Sequence, residues 1–377
     1  MARILVALSG GVDSSVTTAI LKRSGHEVQG VVMTHGLSGC EETCGGTVDS
    51  EDARKVAELL DVPFHHLDVK DAFEAEIVDY FVEQYIVGRT PNPCIVCNPR
   101  MKFGQIMNLA DQLGAEYLAT GHYARIESPG EREVLASVLS QFPPGESDEV
   151  AQIPPEDTPR LFRGSDPTKD QSYALFAIPW PLLGRILFPL GHYTKRRIRE
   201  LAAELDLPTA DKPESQDICF VPDGNYARLI GERRPEFDGS GEIVLTDGTV
   251  VGRHDGFYRY TIGQRKGLGV ALGTPHYVVR IDADTCTVVL GAEEDLACPR
   301  FYADQLNWLV DPPASVFDCQ IKVRYRSRPT DARVTPRADG TIEVEPVASC
   351  GAVTPGQAVV CYRGDQVLGG GFIRLDG

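Results

Sequence analysis

The first part of the chain alternates short apolar runs with stretches of helical periodicity. Residues 4–8 form an apolar run of the kind that fills a buried strand in a parallel sheet. A helix is predicted over 13–23, ending near Gly25, and a second strand over 27–33. Apolar residues recur at i, i+3, i+4 and i+7 within 50–60, which predicts the next helix.

The same alternation continues to about residue 120. Further strands are predicted over 64–69 and 115–120, and further helices over 73–88 and 101–113. Strands that alternate with helices in this way predict an α/β fold with a doubly wound parallel sheet. Ligands of such sheets bind at the carboxyl ends of the strands.

The later part of the chain changes character twice. Residues 128–159 are acidic and rich in proline, and predict an exposed loop. A helix is predicted over 193–205 with Thr194 as its N-cap. From about residue 239 short strands predominate, predicted over 242–245, 277–281, 287–290, 321–325, 341–344, 358–362 and 366–373. We therefore expect a catalytic domain over 1–220, a small β domain over 221–274 and a C-terminal β-barrel over 275–377.

Composition limits the function classes. The chain has 377 residues, of which 42% are hydrophobic and 24% charged, typical of a globular protein. No apolar run is long enough for a membrane span and no leader is recognisable, so we expect a cytoplasmic protein. A net charge of −17 argues against non-specific coating of nucleic acid. It leaves room for a site-specific RNA enzyme, because basic residues cluster locally at 195–199, 233–234, 259–266 and 324–328.

A glycine turn follows the first strand. Its sequence is Ser9-Gly10-Gly11, followed by Asp13 and Ser14 at the start of a helix. The backbone N–H groups of such a turn can face an anion. No Gly-Lys-Ser/Thr follows, which excludes the common P-loop. The stretch resembles the SGGxDS loop of the ATP pyrophosphatases, which cut ATP between its α and β phosphates. We expect ATP, with Mg²⁺ offsetting its charge.

Two thiols lie in a proline-rich loop. Cys94 and Cys97 are three apart, a spacing that suits a metal site, a redox pair, a nucleophile or a purely structural pair. The zinc deaminase signature also needs His-x-Glu, which the chain lacks. No second cysteine pair of similar spacing exists to complete a zinc ribbon. Cys219 stands alone, yet beside an ATP loop it suggests thiolation, with one cysteine carrying sulfur and another resolving it.

Motifs along nearly the whole chain resemble the family of tRNA-specific 2-thiouridylases. The matching segments are SGGVDS at 9–14, RTPNP at 89–93, CN at 97–98, ATGHYA at 119–124, KDQSY at 169–173, PLG at 189–191, KPESQDICF at 212–220, YTIGQRKGL at 260–268, VRYR at 323–326 and LGGG at 368–371. The resemblance implies conversion of the 2-carbonyl of the wobble uridine to a 2-thiocarbonyl. It also implies a nucleotide-hydrolase fold of the PP-loop type for the first domain.

The resemblance assigns roles to individual residues. The ATP-binding set would be Ala7, Leu8, Ser9, Gly10, Gly11, Val12, Asp13, Ser14, Met33 and Gly121. Cys219 would carry a persulfide and Cys97 would be its catalytic partner, the two ending as a disulfide. The tRNA-facing set would be Asn92, Pro93, Cys94, His122, Lys169, Asp170, Gln171, Tyr325, Arg326 and Gln357.

Position 94 departs from the family pattern. Many members have Asp there, an acid suited to proton transfer, whereas this chain has Cys94. Cys94, Cys97 and Cys219 together could hold three irons of a four-iron cluster, whose open iron could bind hydrosulfide. The persulfide route and the cluster route both stay open. The sulfur donor would be a persulfide carrier protein or sulfide.

Two other function classes stay open. Another ATP pyrophosphatase acting on a small molecule would not need the Cys97 and Cys219 loops. A non-catalytic RNA-binding or iron–sulfur module would not need Asp13 within the glycine turn. Gly267 and Gly269 hint at a dinucleotide loop, but no helix follows them, which disfavours that reading.

Overall fold

The predicted parallel sheet is present in the computed structural model, which describes residues 1–37, 40, 46–144, 158–213 and 218–375. The strands are β1 (Arg3–Ala7), β2 (Glu27–Thr34), β3 (Phe64–Asp68), β4 (Tyr117–Ala119), β5 (Ala124–Glu127), β6 (Arg160–Arg163), β7 (Ile186–Leu187), β8 (Gly241–Leu245), β9 (Val250–His254), β10 (Tyr277–Asp282), β11 (Thr287–Gly291), β12 (Phe301–Trp308), β13 (Phe317–Lys322), β14 (Thr330–Pro336), β15 (Ile342–Pro346), β16 (Ala358–Arg363) and β17 (Gln366–Arg374). The α-helices are α1 (Val12–Arg23), α2 (Thr47–Leu59), α3 (Lys70–Phe73), α4 (Asp79–Ile86), α5 (Pro93–Cys97), α6 (Ile106–Gln112), α7 (Pro129–Gln141), α8 (Ser172–Leu175), α9 (Lys195–Glu204) and α10 (Tyr226–Arg233).

The chain divides into two compact units. The first comprises Met1–Ile77, Cys94–Gly224 and Asp365–Leu368. The second comprises Val78–Pro93, Asn225–Gly364 and Gly369–Gly377. Each is described by itself below.

The first unit contains the doubly wound sheet, in the strand order β3-β2-β1-β4-β7 with parallel neighbours. Ile4 and Val6 of β1 join the core built by helices α1, α2, α7 and α9 on one face. Leu5 points to the other face and is also fully buried. Because both faces are covered, β1 is apolar from Ile4 to Ala7 rather than alternating, and the predicted fold class is confirmed.

Three helices follow their predicted pattern closely. Helix α2 buries Ala53, Val56 and Ala57 against the sheet. Helix α9 begins after Thr194, whose side chain accepts a hydrogen bond from the backbone N–H of Arg197, so the predicted N-cap is confirmed. Helix α1 ends before Gly25, whose φ of +86° is easy only for glycine.

Two predicted helices are less regular than their periodicity suggests. The helix predicted over 73–88 consists of α3, a π-helical segment at Glu74–Val78, and α4. The helix predicted over 101–113 begins within a second π-helical segment, Asn98–Gln105, before α6. A π-helical turn inserts a residue without interrupting the apolar face, so periodicity alone cannot reveal it.

The loop prediction for 128–159 was wrong for its first part, because 129–141 form helix α7. Ser128 caps this helix by accepting a hydrogen bond from the Glu131 N–H, and Pro129 occupies the first turn. Val134, Leu135 and Val138 bury its apolar face. The acidic and proline content of the stretch concealed this pattern. Residues 145–157 of the predicted loop lie outside the described residues.

A short antiparallel ladder also belongs to the first unit. Strands β5 and β6 pair from Ala124–Arg163 to Glu127–Arg160, and Gln366 at the start of β17 pairs with Phe162. The Arg125 guanidinium, 4% exposed, donates to the Arg163 carbonyl and lies 3.5 Å from an Asp365 carboxylate oxygen. Residues far along the chain therefore complete this unit.

The second unit contains two β structures. One is a four-stranded sheet in the order β10-β11-β8-β9. The other runs β12-β15-β14-β13-β16-β17 and closes through β12–β17 pairing, which confirms the predicted small β module and C-terminal barrel. The strand predicted over 321–325 ends at Lys322 in β13, and the pattern missed β9, β12 and β14. No helix of the described residues is long and apolar enough to cross a membrane.

We expect Ser128→Ala to lower the free energy of unfolding by about 1 kcal/mol, because α7 would lose its N-terminal cap. Urea denaturation followed by circular dichroism would measure the change. Ser140→Ala, at an exposed position near the other end of α7, is the matched control and should change stability little. Equal effects of the two substitutions would contradict the assigned cap.

Candidate active site

The first unit gathers three connecting segments at one edge of its sheet. Strands β1, β4 and β7 are parallel neighbours, so their carboxyl ends lie side by side. The segments that leave these ends are 8–14, 120–123 and 188–195. Strand order reverses direction between β1 and β4, the position at which open α/β sheets bind their ligands.

The glycine turn has the backbone geometry that its sequence predicts. Gly10 has a φ of +71°, and a Cβ there would lie 2.9 Å from the Asp49 carbonyl carbon in α2. Gly11 is the N-cap of α1 and provides no side-chain hydrogen bond, so the first amides of the helix are not capped by a side chain. The Ser14 hydroxyl stabilises the turn, because it accepts a hydrogen bond from the Ser9 N–H and donates one to the Gly11 carbonyl. The turn therefore fits an anionic group such as a phosphate.

Gly121 allows the segment after β4 to reach this turn. A Cβ at Gly121 would lie 2.9 Å from the Asp13 carbonyl carbon and 2.9 Å from the Ser14 nitrogen. Real side chains do not tolerate such distances to backbone atoms, so close approach requires glycine here. Gly121 therefore lies against the start of helix α1, next to the turn, and its assignment to the nucleotide stays a prediction.

The remaining predicted nucleotide residues lie on adjacent strands. Ala7 ends β1, and the buried Leu8 donates its backbone N–H to the Val31 carbonyl of β2. Met33 is half-buried near the carboxyl end of β2, opposite Leu67 of β3. These residues border the same sheet edge as the turn.

Asp13 is the centre of the polar contacts at the turn. Its carboxylate accepts hydrogen bonds from the Lys195 amine at 2.7 and 2.8 Å and from the Tyr123 hydroxyl at 2.7 Å. The Lys195 side chain is 10% exposed, and the Asp13 side chain is 30% exposed. A cation thus lies beside the glycine turn and is compensated by the Asp13 carboxylate.

Residues 169–171, which are predicted to contact tRNA, lie in the first unit. Gln171 is hydrogen-bonded to Tyr123, which in turn is hydrogen-bonded to Asp13. The Gln171 side-chain oxygen accepts from the Tyr123 N–H, and the Gln171 N–H donates to the Tyr123 carbonyl. Asp170 is buried and accepts from the N–H groups of Gly164 and Ser172. Lys169 is half-buried, and its N–H donates to the Asp166 carbonyl. Asp170 and Gln171 therefore have structural contacts of their own.

His122 lies between aromatic rings. Its ring centroid is 5.9 Å from that of Phe103 and 5.6 Å from that of Phe188, and Nδ1 lies 2.6 Å from the Thr120 hydroxyl. Burial lowers the pKa of His122 well below its usual range, and the positive charge of Lys102 lowers it further. The imidazole is therefore neutral at neutral pH.

The Cys97 segment is connected to the turn by a series of hydrogen bonds. Cys97 ends α5, and the next residue, Asn98, is buried and donates its side-chain N–H to the Ala174 carbonyl of α8 at 2.8 Å. Helix α8 follows directly after Gln171, which bonds Tyr123, which in turn bonds Asp13. These contacts bring the cysteine loop and the glycine turn into one body.

The Cys219 segment packs near the carboxyl end of β2. The Phe220 ring meets the Phe73 ring at 5.8 Å, and Phe73 stacks on His35 at 4.8 Å. Upstream, the Lys212 amine lies 2.7 Å from carboxylate oxygens of both Asp49 and Asp52 in α2. Burial raises the pKa of Asp49, although Lys212 opposes this, whereas the hydrogen bond from Lys212 lowers the pKa of Asp52. Residues 214–217 lie outside the described residues.

The described cysteines form neither a disulfide nor a group of three that could hold a metal ion. No disulfide links any of the nine described cysteines. Cys94 is exposed, and Cys97 and Cys219 are half-buried. Within the described ranges no group of three or more His, Cys, Asp or Glu side chains is arranged to hold a metal ion. The predicted set of Cys94, Cys97 and Cys219 as iron ligands therefore has no geometric support, and we derive no step through a cluster.

Other predicted tRNA contacts belong to the second unit. Gln357 donates its side-chain N–H to the Thr90 carbonyl at 2.7 Å, and so holds the segment that leads to Asn92 and Pro93. Tyr325 is 37% exposed, with the Lys322 amine 5.9 Å from its ring centroid. Arg326 follows it in the exposed connection after β13.

Several residues around the turn have roles that the sequence did not reveal. Lys195 was grouped with a basic run and Tyr123 with a motif, and neither was assigned to the turn. Asp166, which accepts from the Lys195 N–H and from Thr168, was also missed. One signal was available for Lys195, because it follows the predicted N-cap Thr194 on a segment that leaves the sheet.

Comparison with protein families gives three consecutive matches. Residues 2–223 match the tRNA methyl transferase HUP domain, 229–292 the tRNA methyl transferase PRC-barrel domain, and 299–373 the aminomethyltransferase beta-barrel domain. The first match alone spans more than half of the chain.

Full-length relatives are close. The chain is 44% identical over 382 residues to the tRNA-specific 2-thiouridylase MnmA of Geobacter metallireducens, covering 98% of this chain and 96% of that protein. It is 43% identical over 379 residues to the protein of the same name from Carboxydothermus hydrogenoformans, covering 99% and 97%. Among solved structures, the U34-tRNA thiolase NcsA from Methanococcus maripaludis with its [4Fe-4S] cluster matches 62% of this chain and 68% of that one at 18% identity. The TM-score of this structural match is 0.34.

We expect Asp13 and Lys195 to be energetically coupled. Lys195→Met would leave the Asp13 carboxylate without its cation, whereas Asp13→Asn with Lys195→Met would remove both charges. A double-mutant cycle on the free energy of unfolding should give a coupling of about 2 kcal/mol. The exposed pair Arg54–Glu58, 2.9 Å apart, is the matched control. Its coupling should stay near 0.3–0.5 kcal/mol, roughly the value for surface helix pairs, and equal couplings would refute the special position of Asp13.

Acidification should reveal the lowered pKa of His122. A folded-state pKa below the unfolded value means that the stabilising contribution is complete above about pH 6.5 and is lost as the pH falls. The free energy of unfolding of His122→Gln should therefore decline less on acidification than that of the unsubstituted chain. Urea denaturation at several pH values below neutrality measures both slopes, and parallel slopes would disprove the assignment.

Proposed function

Because the chain belongs to the family of tRNA-specific 2-thiouridylases, we propose that it converts the wobble uridine of tRNA to 2-thiouridine at the expense of ATP. It is a tRNA sulfurtransferase of the PP-loop type. The observation that carries the mechanism is the series of contacts from Cys97 through Asn98, α8 and Gln171 to the Asp13 turn. A sulfur-handling residue and an anion-binding turn belong to one body.

ATP binding is assigned to the turn and its neighbours. The first amides of α1 and the turn at Gly10 and Gly11 face the phosphates, while Ala7, Leu8, Met33 and Gly121 border the rest of the nucleotide. Ser9, Val12, Asp13 and Ser14 complete the set. The Asp13 carboxylate at the turn would hold Mg²⁺, which would offset the charge of the phosphates when bound. The Lys195 amine, hydrogen-bonded to Asp13, would provide a further positive charge beside the phosphates.

The proposed reaction has two stages, adenylation of the uridine and transfer of sulfur to it. The uridine 2-carbonyl oxygen attacks the α-phosphorus of ATP and pyrophosphate leaves. Sulfur then attacks carbon 2 and AMP leaves with the former carbonyl oxygen. The outer sulfur of a Cys219 persulfide supplies the new atom, and the Cys97 thiolate attacks the inner sulfur, so that the two cysteines end as a disulfide. An external thiol reductant restores them.

Cys94 lies three residues before Cys97, at the start of α5, and is assigned to the target base together with Asn92 and Pro93. The other tRNA contacts are assigned to His122, Lys169, Asp170, Gln171, Tyr325, Arg326 and Gln357. On the persulfide route the sulfur donor is a persulfide carrier protein, whose outer sulfur already has the oxidation level that a Cys219 persulfide needs; sulfide would be the donor on the cluster route. We place the reaction in the cytoplasm, with the tRNA substrate.

Iron–sulfur chemistry is the second candidate for sulfur delivery. It is favoured by one observation of the sequence, the replacement of an acid by Cys94, and finds no support in the positions of the three cysteines. The matched domain descriptions mention methyl transfer, which would leave the nucleotide turn and Cys219 without a role.

The proposal predicts that AMP and 2-thiouridine form together. Unmodified tRNA, Mg²⁺, ATP and a persulfide donor are incubated with the protein, and both products are quantified by mass spectrometry. Asp13→Ala should lose both products, because nucleotide binding and adenylation fail. Cys219→Ser should still release pyrophosphate, because adenylation needs no sulfur, whereas AMP stays bound to the uridine and 2-thiouridine falls by at least about 10²-fold. Cys286→Ser, in the second unit, is the control and should retain both products.

The same assay separates the alternatives. AMP formation that does not depend on tRNA would favour a small-molecule acceptor and contradict the proposal. Cys94→Ala with anaerobic iron and sulfide analysis separates the two sulfur routes. Iron in the unsubstituted protein, lost together with thiolation in Cys94→Ala, would replace the persulfide route with the cluster.

A further inference from the structure

We propose that the loop 261–276 of the second unit is an additional binding site for the phosphate backbone of the tRNA, with Arg265 and Lys266 as its cations. This inference rests on the proposed function and adds a contact that the family resemblance does not assign. The loop lies between the short 3₁₀ turn Phe257–Arg259 and strand β10.

The two cations lack the ion pairs that many, though not all, of the arginines of the second unit make. Arg253 pairs with Glu242, and Arg333 pairs with Asp318. Further pairs in this unit involve the side chains of Arg228, Arg233, Arg234, Arg300, Arg337 and Arg374. Arg265 and Lys266 are exposed, and neither makes an ion pair with any described residue. In a chain of net charge −17, two adjacent uncompensated cations are a feature to explain.

The loop holds its shape without these cations. The Gln264 side chain accepts from the Thr261 N–H at 3.0 Å and donates to the Lys266 carbonyl at 3.0 Å. The Gly263 N–H donates to the Val278 carbonyl of β10, and the Val278 N–H donates to the Gln264 carbonyl. These two hydrogen bonds hold the start of the loop against β10. The side chains of Arg265 and Lys266 take no part in these contacts. The loop is thus a preformed support that presents two cations at little conformational cost.

The backbone next to the two cations contains two glycines in the left-handed region. Gly267 and Gly269 have φ values of +72° and +76°, and no atom would obstruct a Cβ at Gly269. Space alone therefore does not require glycine there; the left-handed backbone does. Successive amides in such turns form concave anion sites. A cleft of about 490 Å³ opens beside them, lined by Arg265, Leu268 and His276 among others, which is room for a nucleotide.

The position of the loop within the second unit links it to residues already assigned to tRNA. The Thr261 hydroxyl lies 3.4 Å from the Thr90 hydroxyl, and Thr90 is bonded to Gln357. A Cβ at Gly263 would lie 2.7 Å from the Ala352 Cβ, and one at Gly351 would lie 2.8 Å from the Arg324 guanidinium. The loop is therefore packed on the same part of this unit as Gln357 and the segment that contains Tyr325 and Arg326.

These observations favour an RNA over an acidic protein as the partner. RNA presents a regular row of phosphates that can meet several separate cations at once, here Arg265, Lys266, Arg324 and Arg326. Glycine amides beside the cations suit phosphate oxygens in particular. Binding through this loop would be independent of base sequence and would orient the tRNA.

The test measures tRNA affinity and its salt dependence with the full-length protein. Fluorescently labelled unmodified tRNA is titrated with the unsubstituted chain and with the double variant Arg265→Ala, Lys266→Ala at several salt concentrations. The double variant should bind about tenfold more weakly near 0.1 M salt, and the slope of log affinity against log salt should be shallower by about 1 to 2.

Two control variants isolate the cause. Arg253→Ala with Arg333→Ala removes the same formal charge from paired positions of this unit and should leave affinity near that of the unsubstituted chain. Arg265→Lys with Lys266→Arg retains both charges and should restore binding, which a purely structural role of the loop would not predict. Thermal unfolding of every variant checks that the unit is folded.

Each remaining outcome has a definite meaning. If the unsubstituted chain does not bind tRNA, the proposed function fails. If it binds and thiolates tRNA while Arg265→Ala, Lys266→Ala matches it in affinity and slope, this inference alone is overturned. If tRNA binding is unchanged but thiolation slows only with a persulfide carrier protein as donor, the loop binds that protein, which also overturns the inference.

Discussion

The carboxylate of Asp13 is the contact on which the candidate site depends. It accepts from Lys195 after β7 and from Tyr123 after β4, while its own residue belongs to the turn after β1. Three connections are thereby joined at one point of the sheet edge. A partly buried carboxylate needs such compensation, because an unpaired charge in a low dielectric is costly. The same bonds keep a lysine amine beside the amides that would receive phosphates.

Two glycines make this arrangement sterically possible. Gly121 packs against the backbone of Asp13, and Gly10 packs against the backbone of Asp49 in the first turn of α2. Asp49 also binds Lys212, so the turn, α2 and the start of the Cys219 segment form one packed group. The segments that we assign to sulfur and to the nucleotide therefore share a framework within the first unit, even though they are about 200 positions apart in sequence.

The strand–helix alternation of the first 120 residues was predictable, because strands buried on both faces and amphipathic helices leave clear patterns. The Thr194 cap was predictable for the same local reason. The Asp13–Lys195 bond was not, because it depends on the order of the strands in the sheet. Helix α7 was concealed by the acidic and proline-rich composition of the whole stretch 128–159, and β12 and β14 by mixed polarity on strands of a barrel. The cysteines illustrate a further limit, since their spacing allows a metal set that their positions do not support.

The contribution of 365–368 to the first unit has a consequence for synthesis of the protein. Gln366 pairs with Phe162, and Asp365 faces the nearly buried Arg125, so these late residues complete the ladder of β5 and β6. During translation the ribosome delivers them only after the whole β-rich middle of the chain has emerged. The first unit must therefore wait, with the outer edge of β6 uncovered, until the chain has been synthesised as far as β17. Premature termination within the barrel would release a chain whose exposed strand edge invites aggregation.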